Sequence, residues 1–491
     1  MSQEELFLEV AAARQHFEEG LIRAGFKEGD AGWVGTIEHG ADATSVIISL
    51  PSRFPFIPAR VVPQFSDDVE WSWHRERDGA LCLVAEDDHE NLWWIDAPAF
   101  LAHVKDWFES ADAGWSEDRP DMDLDRYFNS STRDSMLYLF EDLSGLADRY
   151  VRFERGPSTV MRLTSVVAKP DGGRGKTHSA CGFVIDAALI ARPPRDWDDV
   201  KALTPQGAAL ETHIRERNVT IVVIAYRRGD HDGAIVLEVW PNKAGGISAC
   251  SLLAAADTPA ARGARSGPDR EELRTKSVAI VGVGALGSFI ADGLARGGVG
   301  NLTLIDGDVL MPGNLVRHLA GREFVGLKKA TAVQKTLERR SAGMTNVTAI
   351  NDNVYALDQA TELLADTDLV INATADFSIT AMLRATAIAT DTHVLSAAMQ
   401  NDGATFRIDV LPPLKGAEAL PSSSRAKGAP VALYFDNSCG SPISPTPPAA
   451  VAEAAAATVR HAIGILLQRE ISPSGEARDL DKSNELTEPR Q

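Results

Sequence analysis

The spacing of hydrophobic positions changes its period along the chain, and each change separates one predicted element from the next. Apolar residues recur at helical spacing over residues 4–24 and again over 97–111, which predicts two amphipathic helices. Between them, residues 33–38 and 44–51 alternate or run apolar as strands do, and a proline-punctuated stretch follows at 51–63. The first part of the chain is therefore predicted to combine helices with a small sheet.

Beyond a polar linker predicted at 112–126, the pattern turns to strands. Residues 127 to about 255 mix strand and helix patterns, with buried strands predicted at 220–226 and 234–241. From residue 277 the order strand, glycine-rich turn, helix, strand repeats, which is typical of a parallel α/β sheet. The chain is thus predicted to be a multidomain α/β protein. Its predicted parts are 1–115, 127–260 and 270–470, separated by loose stretches at 112–126 and 256–272, with a disordered tail at 472–491.

Composition narrows the classes of function. The length of 491 residues corresponds to about three domains, and 49 Lys and Arg against 69 Asp and Glu give a net charge of −20. That charge argues against a nucleic-acid backbone or an anionic membrane as the main partner. The amino terminus lacks a signal-peptide pattern, and the apolar run 449–468 contains Glu453, Arg460 and His461, which predicts a packed helix instead of a membrane span.

The four cysteines are Cys82, Cys181, Cys250 and Cys439. They are far apart and form no C-x-x-C pair, so the sequence predicts neither a zinc site nor a disulfide framework. A reducing, cytoplasmic location is expected. Each thiol is then either a small buried hydrophobe or a nucleophile.

A glycine-rich turn follows the strand predicted at 277–281. Gly282, Gly284 and Gly287 form G-x-G-x-x-G directly before a helix, where glycines let the backbone approach a phosphate at the helix amino terminus. Asp306 follows 24 residues after Gly282 (306 − 282), at the end of the next strand, where a carboxylate can bind ribose hydroxyls. The glycines by themselves favour an NAD-dependent dehydrogenase.

The residues after this turn favour a triphosphate with Mg²⁺ instead. The segment LIDGDVLMPGNLVRH is followed by VGLKKA and by DLVINATADF, which ends the next strand. Cationic side chains neutralise phosphates and a carboxylate binds the metal, whereas hydride transfer needs less positive charge around the phosphates. The charged and polar residues of these segments are Asp306, Asp308, Asn314, Arg317, Lys328, Lys329 and Asp376.

In the order and spacing of these segments, residues 273–415 resemble the adenylating domain of ubiquitin-activating enzymes and of the ThiF-type activators of bacterial sulfur carriers. The resemblance implies a Rossmann-like fold, ATP and Mg²⁺ as cofactors, and pairing of two copies through this domain. It further implies that Asp306 binds ribose, that Asn314, Arg317 and Lys329 contact the phosphates, and that Asp376 binds Mg²⁺.

The sequence departs from the family at two points. Ala375 stands between Thr374 and Asp376, whereas the family usually has the aspartate directly after the threonine. The zinc-binding C-x-x-C pairs of the sulfur-carrier activators are missing, which moves the resemblance towards conjugation systems.

Cys439 lies 63 residues after Asp376 (439 − 376), in the Gly/Pro/Ser-rich stretch YFDNSCGSPISPTPP. This composition predicts an exposed loop, and in the activating enzymes a comparable crossover segment carries the thioester cysteine before a return helix. Cys439 is therefore predicted to be a nucleophile, with a surface thiol of no function as the alternative.

The amino-terminal region has a resemblance of its own. PSRFPFIPARV, His74, Gly79-Ala-Leu-Cys82-Leu and the Trp93-Trp94 pair are similar to the core of a ubiquitin-conjugating enzyme over residues 5–112, which implies that Cys82 carries an acyl group. The usual asparagine is missing, since His74 is followed by Arg and Glu. His74 is equally well explained as structural or catalytic.

Three further residues, Asp87, Asp88 and His89, form either a proton acceptor or a solvated acidic loop. No basic cluster adjoins either candidate nucleophile in sequence, so a lowered thiol pKa cannot be argued. Cys181 and Cys250 match no pattern and are predicted to be structural.

Together, the resemblances describe a relay of adenylation, thioester formation and transfer between cysteines, ending on a lysine. The domain order is similar to that of fused enzymes of antiphage CBASS operons, which implies a cGAS-like nucleotidyltransferase or a ubiquitin-like protein as the conjugated partner. A sulfur-carrier adenylyltransferase with an amino-terminal docking module and a nucleotide-sensing scaffold are the alternatives. The middle region is either a scaffold or a degenerate second adenylating unit.

Overall fold

A computed structural model of the chain describes residues 2–83, 92–115, 124–131, 136–171, 179–229, 231–341, 344–422, 434–435 and 442–480. The chain divides into two compact units, Met1–Thr258 and Pro259–Gln491. The first unit contains both the conjugating-like region and the middle region of the sequence. The second contains the segments that resemble an adenylating domain.

The first half of unit 1 is an antiparallel meander flanked by two helices. Helix α1 begins with a capping box, in which the Ser2 hydroxyl accepts the Glu5 N–H, and α2 begins where Asp96 accepts the Ala99 N–H at 3.0 Å. The strands lie in the order β1-β2-β3-β4. The elements are α1 (Gln3–Arg23), β1 (Lys27–Gly29), β2 (Gly32–His39), β3 (Asp42–Ser49), β4 (Arg60–Pro63) and α2 (Ala97–Asp112).

The second half of unit 1 is a mixed sheet, with helices that pack on it. The strand order is β13-β6-β8-β7-β9-β10-β11-β12-β5, in which β9 and β10 are parallel and β10 and β11 form an antiparallel hairpin. The strands predicted at 220–226 and 234–241 are confirmed and deeply buried. The elements are β5 (Asn129–Ser130), β6 (Leu137–Phe140), β7 (Arg149–Arg155), β8 (Val160–Val167), β9 (Ser179–Leu189), α3 (Trp197–Ala202), α4 (Gly207–Arg215), β10 (Ile221–Arg228), β11 (His231–Pro241), β12 (Ile247–Ser251) and β13 (Ala254–Ala256).

Unit 2 is built on a mainly parallel sheet, as the strand–turn–helix repeat predicts. The order is β16-β15-β14-β17-β18-β19-β22, parallel from β16 to β18, with β19 and β22 added antiparallel. The elements are α5 (Pro259–Gly263), α6 (Arg270–Leu273), β14 (Ser277–Val281), α7 (Ala285–Gly297), β15 (Asn301–Ile305), α8 (Lys329–Ser341), β16 (Asn346–Ile350), α9 (Leu357–Asp366), β17 (Leu369–Asn372), α10 (Phe377–Ala389), β18 (Val394–Gln400), β19 (Thr405–Leu411), β20 (Tyr434–Phe435), β21 (Pro442–Ile443), α11 (Pro448–Leu466) and β22 (Gly475–Asp479).

The end of the chain differs from its prediction. The prediction of a disordered tail from residue 472 is wrong over β22. This strand pairs antiparallel with β19, and the pairing runs from Gly475 opposite Asp409 to Asp479 opposite Thr405. Backbone pairing with a distant strand stabilises a segment whose polar side chains alone predict no structure. Helix α11 is long and apolar enough to cross a membrane by length and composition, yet more than half of it is buried inside unit 2.

Candidate functional site

The glycine-rich loop between β14 and α7 lies at the carboxyl edge of the parallel sheet. Gly282 has φ +85°, and a Cβ there would lie 2.9 Å from the backbone nitrogen of Thr374, at the end of the neighbouring strand β17. A Cβ on Gly287 would overlap the carbonyl oxygen of Gly282. At Gly284, the N-cap of α7, no described atom lies within 4 Å of such a Cβ. Two glycines thus serve packing, and the third leaves space at a helix amino terminus, where phosphate binds.

Asp306 connects this loop to the end of β15. Its side chain is buried, and its two carboxylate oxygens accept the backbone N–H groups of Val283 and Asp308, each at 2.9 Å. Burial raises the pKa of Asp306, while the two N–H donors favour its charged form. The carboxylate therefore fixes the loop, and its remaining lone pairs are placed to accept ribose hydroxyls.

Two lysines lie beside the loop that follows β15. The ammonium group of Lys329, at the first residue of α8, donates to Asp308 at 2.8 Å, and that of Lys328 donates to the carbonyl of Gly307 at 2.5 Å. The Lys329 side chain is largely buried whereas Asp308 is exposed. A phosphate near this edge would compete with Asp308 for the ammonium group.

Arg317 and Asn314 lie in a 3₁₀ helix at Pro312–Arg317, and their hydrogen bonds go to different residues from those of the two lysines. The Asn314 side chain accepts the Met311 N–H at 2.9 Å. The Arg317 guanidinium donates to the carbonyls of Ser444, at 2.7 Å, and Thr446, at 3.4 Å, directly before α11. The two lysines therefore lie near Asp306, whereas Arg317 is hydrogen-bonded to residues 444–446, which follow Cys439 in the sequence.

Asp376 is the N-cap of α10. Its Oδ1 accepts the N–H groups of Ser378 and Ile379 and the Ser378 hydroxyl, and these bonds lower the pKa of the exposed carboxyl. The preceding Ala375 adopts φ +57°, an unfavourable conformation for alanine. In the described part of the chain, no group of three or more His, Cys, Asp or Glu side chains is placed to hold a metal ion. An ionised single carboxylate fits Mg²⁺, which binds through one or two carboxylates together with nucleotide phosphates.

His318 also contacts the glycine-rich loop, although the sequence did not single it out within the segment that it ends. Its Nε2 donates to the Val283 carbonyl at 3.0 Å, and its Nδ1 accepts the Ala320 N–H at 3.1 Å. Burial lowers the pKa of His318 to about 4, so the ring is neutral at pH 7. His318 and Asp306 thus bind the carbonyl and the N–H of the same loop residue.

We expect His318→Gln to reduce the acid sensitivity of unit 2. The pKa of His318 falls from about 6.5 in the unfolded chain to about 4 in the folded protein. Its contribution to stability is therefore complete above pH 6.5 and is lost as the pH falls to about 4. The loss is on the order of 3 kcal/mol. Glutamine can donate to Val283 but does not titrate. Calorimetric unfolding between pH 7 and pH 4 measures the difference. His393→Gln, which removes a half-buried histidine of the same unit, is the matched control; equal pH dependence in both variants would contradict the assignment.

Cys82 ends a short hairpin in unit 1. Its N–H donates to the His74 carbonyl at 2.9 Å, Arg75 pairs with Leu81, and Gly79 turns the chain at φ +89°. Cys82 is half-buried and lines a cavity of about 250 Å³. The other lining residues are Pro51, Ile57, Pro58, Ala59, Arg60, Glu76, Ala80, Leu81 and Leu83.

Arg75 holds the hairpin together through hydrogen bonds to backbone carbonyls. Its buried guanidinium donates to the carbonyls of Gly79, at 2.8 Å, and Val69, at 2.7 Å. The His74 ring stacks on Trp115 with 3.5 Å between the ring centroids. His74 thus has a structural contact, whereas Asp87, Asp88 and His89 lie outside the described residues.

Arg126 is the second residue that the sequence reasoning missed, because it follows Cys82 by 44 positions (126 − 82). Its guanidinium lies beside the Cys82 thiol, 3.6 Å from the Glu76 carboxylate and 5.3 Å from the centre of the Tyr127 ring. No local pattern signals this contact. Cys82 therefore has a basic neighbour in the folded protein, although it has none nearby in the sequence.

The other cysteines have different settings. Cys181 is fully buried on β9, and Cys250 is half-buried on β12. Cys439 lies outside the described residues, so its assignment as a nucleophile stays a prediction. Cys82, by contrast, lines the cavity described above.

The second unit joins a doubly wound, mainly parallel sheet to a glycine-rich loop after its first strand and a buried aspartate after its second. This combination defines a Rossmann-like nucleotide-binding domain. Residues 260–481 match the ThiF family, as the resemblance predicts for this part of the chain.

Relatives align with parts of the chain. The chain is 27% identical over 393 residues to the uncharacterized protein y4qC of Sinorhizobium fredii, and the alignment covers 68% of this chain and 64% of that protein. It is 34% identical over 119 residues to the ATP-dependent ubiquitin transferase-like protein Cap2 of Pseudomonas aeruginosa, covering 23% and 21%. Each alignment thus spans less than two thirds of the relative. The solved structure of E. coli MccB with ATP is 16% identical, with a TM-score of 0.34 over 46% of this chain and 73% of MccB.

Proposed function

We propose that the chain is an ATP-dependent enzyme that activates the C-terminal carboxylate of a partner protein and transfers the acyl group to an amine. The observation that carries this proposal is the presence, in one chain, of a ThiF-family domain and of a cavity lined by Cys82 with Arg126 on its sulfur. An enzyme that only adenylates uses the first feature. A conjugating enzyme uses both.

Adenylation takes place at the glycine-rich loop of unit 2. A carboxylate oxygen of the partner attacks the α-phosphate of ATP, and pyrophosphate leaves. Asp306 binds the ribose, and Asn314, Arg317 and Lys329 contact the phosphates. Asp376 binds the Mg²⁺ that accompanies ATP, which supplies neutralising charge at the phosphates.

Two cysteines then carry the acyl group. The Cys439 sulfur attacks the carbonyl of the acyl-adenylate, AMP leaves, and a thioester forms. The Cys82 sulfur attacks this thioester and the Cys439 thiolate leaves. A lysine amine of the target finally attacks the Cys82 thioester and forms an amide, so that one difficult acyl transfer becomes several easier ones.

The expected partner rests on the resemblance of the domain order to fused enzymes of CBASS operons, together with one class of relatives. Cap2 of Pseudomonas aeruginosa bears the name of an ATP-dependent ubiquitin transferase-like protein. We therefore expect a ubiquitin-like protein or a cGAS-like nucleotidyltransferase as the activated partner, lysine-bearing proteins as targets, and a cytoplasmic homodimer that serves bacterial antiphage defence. Nucleic acid and membranes are not expected partners of a chain with a net charge of −20.

The relay is tested with the full chain, ATP, Mg²⁺ and each candidate partner. We expect reductant-sensitive bands on a non-reducing gel and a reductant-resistant final adduct. Cys82→Ala should leave the thioester on Cys439 and abolish the adduct, and Cys439→Ala should abolish both. Cys250→Ala, which removes a half-buried cysteine of unit 1, is the matched control and should change neither.

Other outcomes identify the alternatives. Normal adducts in both Cys82→Ala and Cys439→Ala would refute the relay. A thiocarboxylate product that forms without Cys82 would indicate a sulfur-carrier activator with a docking module. ATP binding without pyrophosphate exchange would indicate a nucleotide-sensing scaffold.

A further inference from the structure

The hairpin that ends in Cys82 is packed into the middle region of the chain. Trp73 of the hairpin shares one buried core with Tyr127 and with Tyr226 of β10. The Tyr127 hydroxyl donates to the Trp73 carbonyl at 2.8 Å, and the Trp71 indole N–H donates to the Pro193 carbonyl at 2.8 Å. The segment at 124–127 is therefore held against the hairpin by the shared core and by the hydrogen bond of Tyr127.

This packing delivers Arg126 to the reacting sulfur. Its neighbours Leu124 and Tyr127 are both fully buried, so the backbone on either side of Arg126 is anchored. The Arg126 side chain is itself largely buried, and it lies between the Cys82 sulfur and the Glu76 carboxylate. Glu76 and Cys82 line the same cavity. One guanidinium is thus shared by a thiol and a carboxylate.

We propose that Arg126 is a catalytic residue for acyl transfer at Cys82, supplied by the segment 124–127 that joins the two halves of unit 1 and stabilising the sulfur as a thiolate. The inference rests on the proposed function, in which Cys82 carries the acyl group. When Cys82 attacks a thioester, a new sulfur–carbon bond forms and the donor thiolate leaves. When the lysine amine attacks, the Cys82 thiolate is the leaving group. A fixed cation beside the sulfur favours its negative charge in both steps.

Glu76 acts in the opposite direction. Its negative charge disfavours the thiolate and competes with it for the Arg126 guanidinium. Removing the Glu76 charge should therefore increase thiolate formation, while removing the Arg126 charge should decrease it. A purely structural role for the two residues would instead lower reactivity or stability in both variants. In the described part of the site, Tyr127 is a further ionisable group near the thiol, and Arg60 lines the same cavity.

The test is the rate of iodoacetamide alkylation of Cys82, resolved by peptide mass spectrometry on the full chain without ATP or partner. We expect about a tenfold slower reaction at pH 7 in Arg126→Gln, consistent with the loss of a charged hydrogen bond. Arg126→Lys should be intermediate, and Glu76→Gln should be severalfold faster than the unaltered protein. Arg155→Gln removes an exposed arginine of the same unit and should leave the rate unchanged.

The outcomes separate this inference from the proposed function. An unchanged rate in Arg126→Gln, or slower reaction in both Arg126→Gln and Glu76→Gln, would overturn the role of Arg126. If Arg126→Gln does not fold, the Arg126→Lys rate decides, and a rate equal to that of the unaltered protein counts against the inference. Because alkylation needs neither ATP nor an acyl donor, a normal adduct from Cys82→Ala would refute the relay without changing the alkylation result.

Discussion

Gly287→Ala is expected to destabilise unit 2 by about 3 kcal/mol and to abolish ATP–pyrophosphate exchange. The added methyl group would overlap the Gly282 carbonyl oxygen, so either the loop or helix α7 must move. Movement of the loop also disturbs the hydrogen bonds that Asp306 and His318 make to Val283. The substitution therefore disturbs the fold and the nucleotide site through one contact.

Two probes make the effect specific to unit 2. All nine tryptophans precede residue 241, so tryptophan fluorescence reports unfolding of unit 1 and should be unchanged. Hydrogen exchange of β14 and β15 reports unit 2 and should become faster. Gly287→Ala with normal exchange protection in these strands would show that the loop has more freedom than its packing indicates.

Gly284→Ala is the matched control for this substitution. Its φ is −70°, and no described atom lies within 4 Å of the added methyl group, so the cost in stability should be only that of the poorer N-cap, about 1 kcal/mol or less. The open space is also where a phosphate approaches the amino terminus of α7. We therefore expect weaker ATP binding with a much smaller loss of stability than in Gly287→Ala. Unchanged ATP binding in Gly284→Ala would place the phosphates elsewhere.

Asp376→Asn is expected to lower pyrophosphate exchange by about 100-fold or more, since loss of a group that only orients a metal ligand already costs 10- to 100-fold. Asparagine is as good an N-cap as aspartate, so α10 and the stability of unit 2 should be retained. The charge that Mg²⁺ requires is lost, and higher Mg²⁺ concentrations should partly restore the rate. Exchange measured against Mg²⁺ concentration checks both effects.

Asp376→Ala separates the two roles of this carboxylate. Because its Oδ1 accepts the N–H groups of Ser378 and Ile379, alanine should also cost about 1 kcal/mol of stability. Asp376→Asn and Asp376→Ala should then differ in stability but not in exchange. Normal exchange in Asp376→Asn would show that Asp376 only caps the helix, and that the displacement by Ala375 has removed the family's metal ligand.

Local features of the sequence determined the nucleotide half of the protein. The strand, glycine-rich turn and helix at β14 and α7 follow each other directly, and their hydrophobic period and glycine spacing are readable without any distant contact. The flanks of Cys82 carry a similarly local pattern, which marked this cysteine as a candidate acyl carrier. Asp306 was predicted because a strand end is itself a local feature.

Only the tertiary structure decided which side chains meet. Arg126 reaches Cys82 because Leu124 and Tyr127 are buried beside it, and this packing depends on strands far along the chain. Arg317 binds carbonyls more than 120 residues away, and β22 is ordered by pairing with β19. Such contacts arise from burial and backbone pairing between distant segments. Periodicity describes one segment at a time, so it predicts which face is buried but not which residue lies opposite.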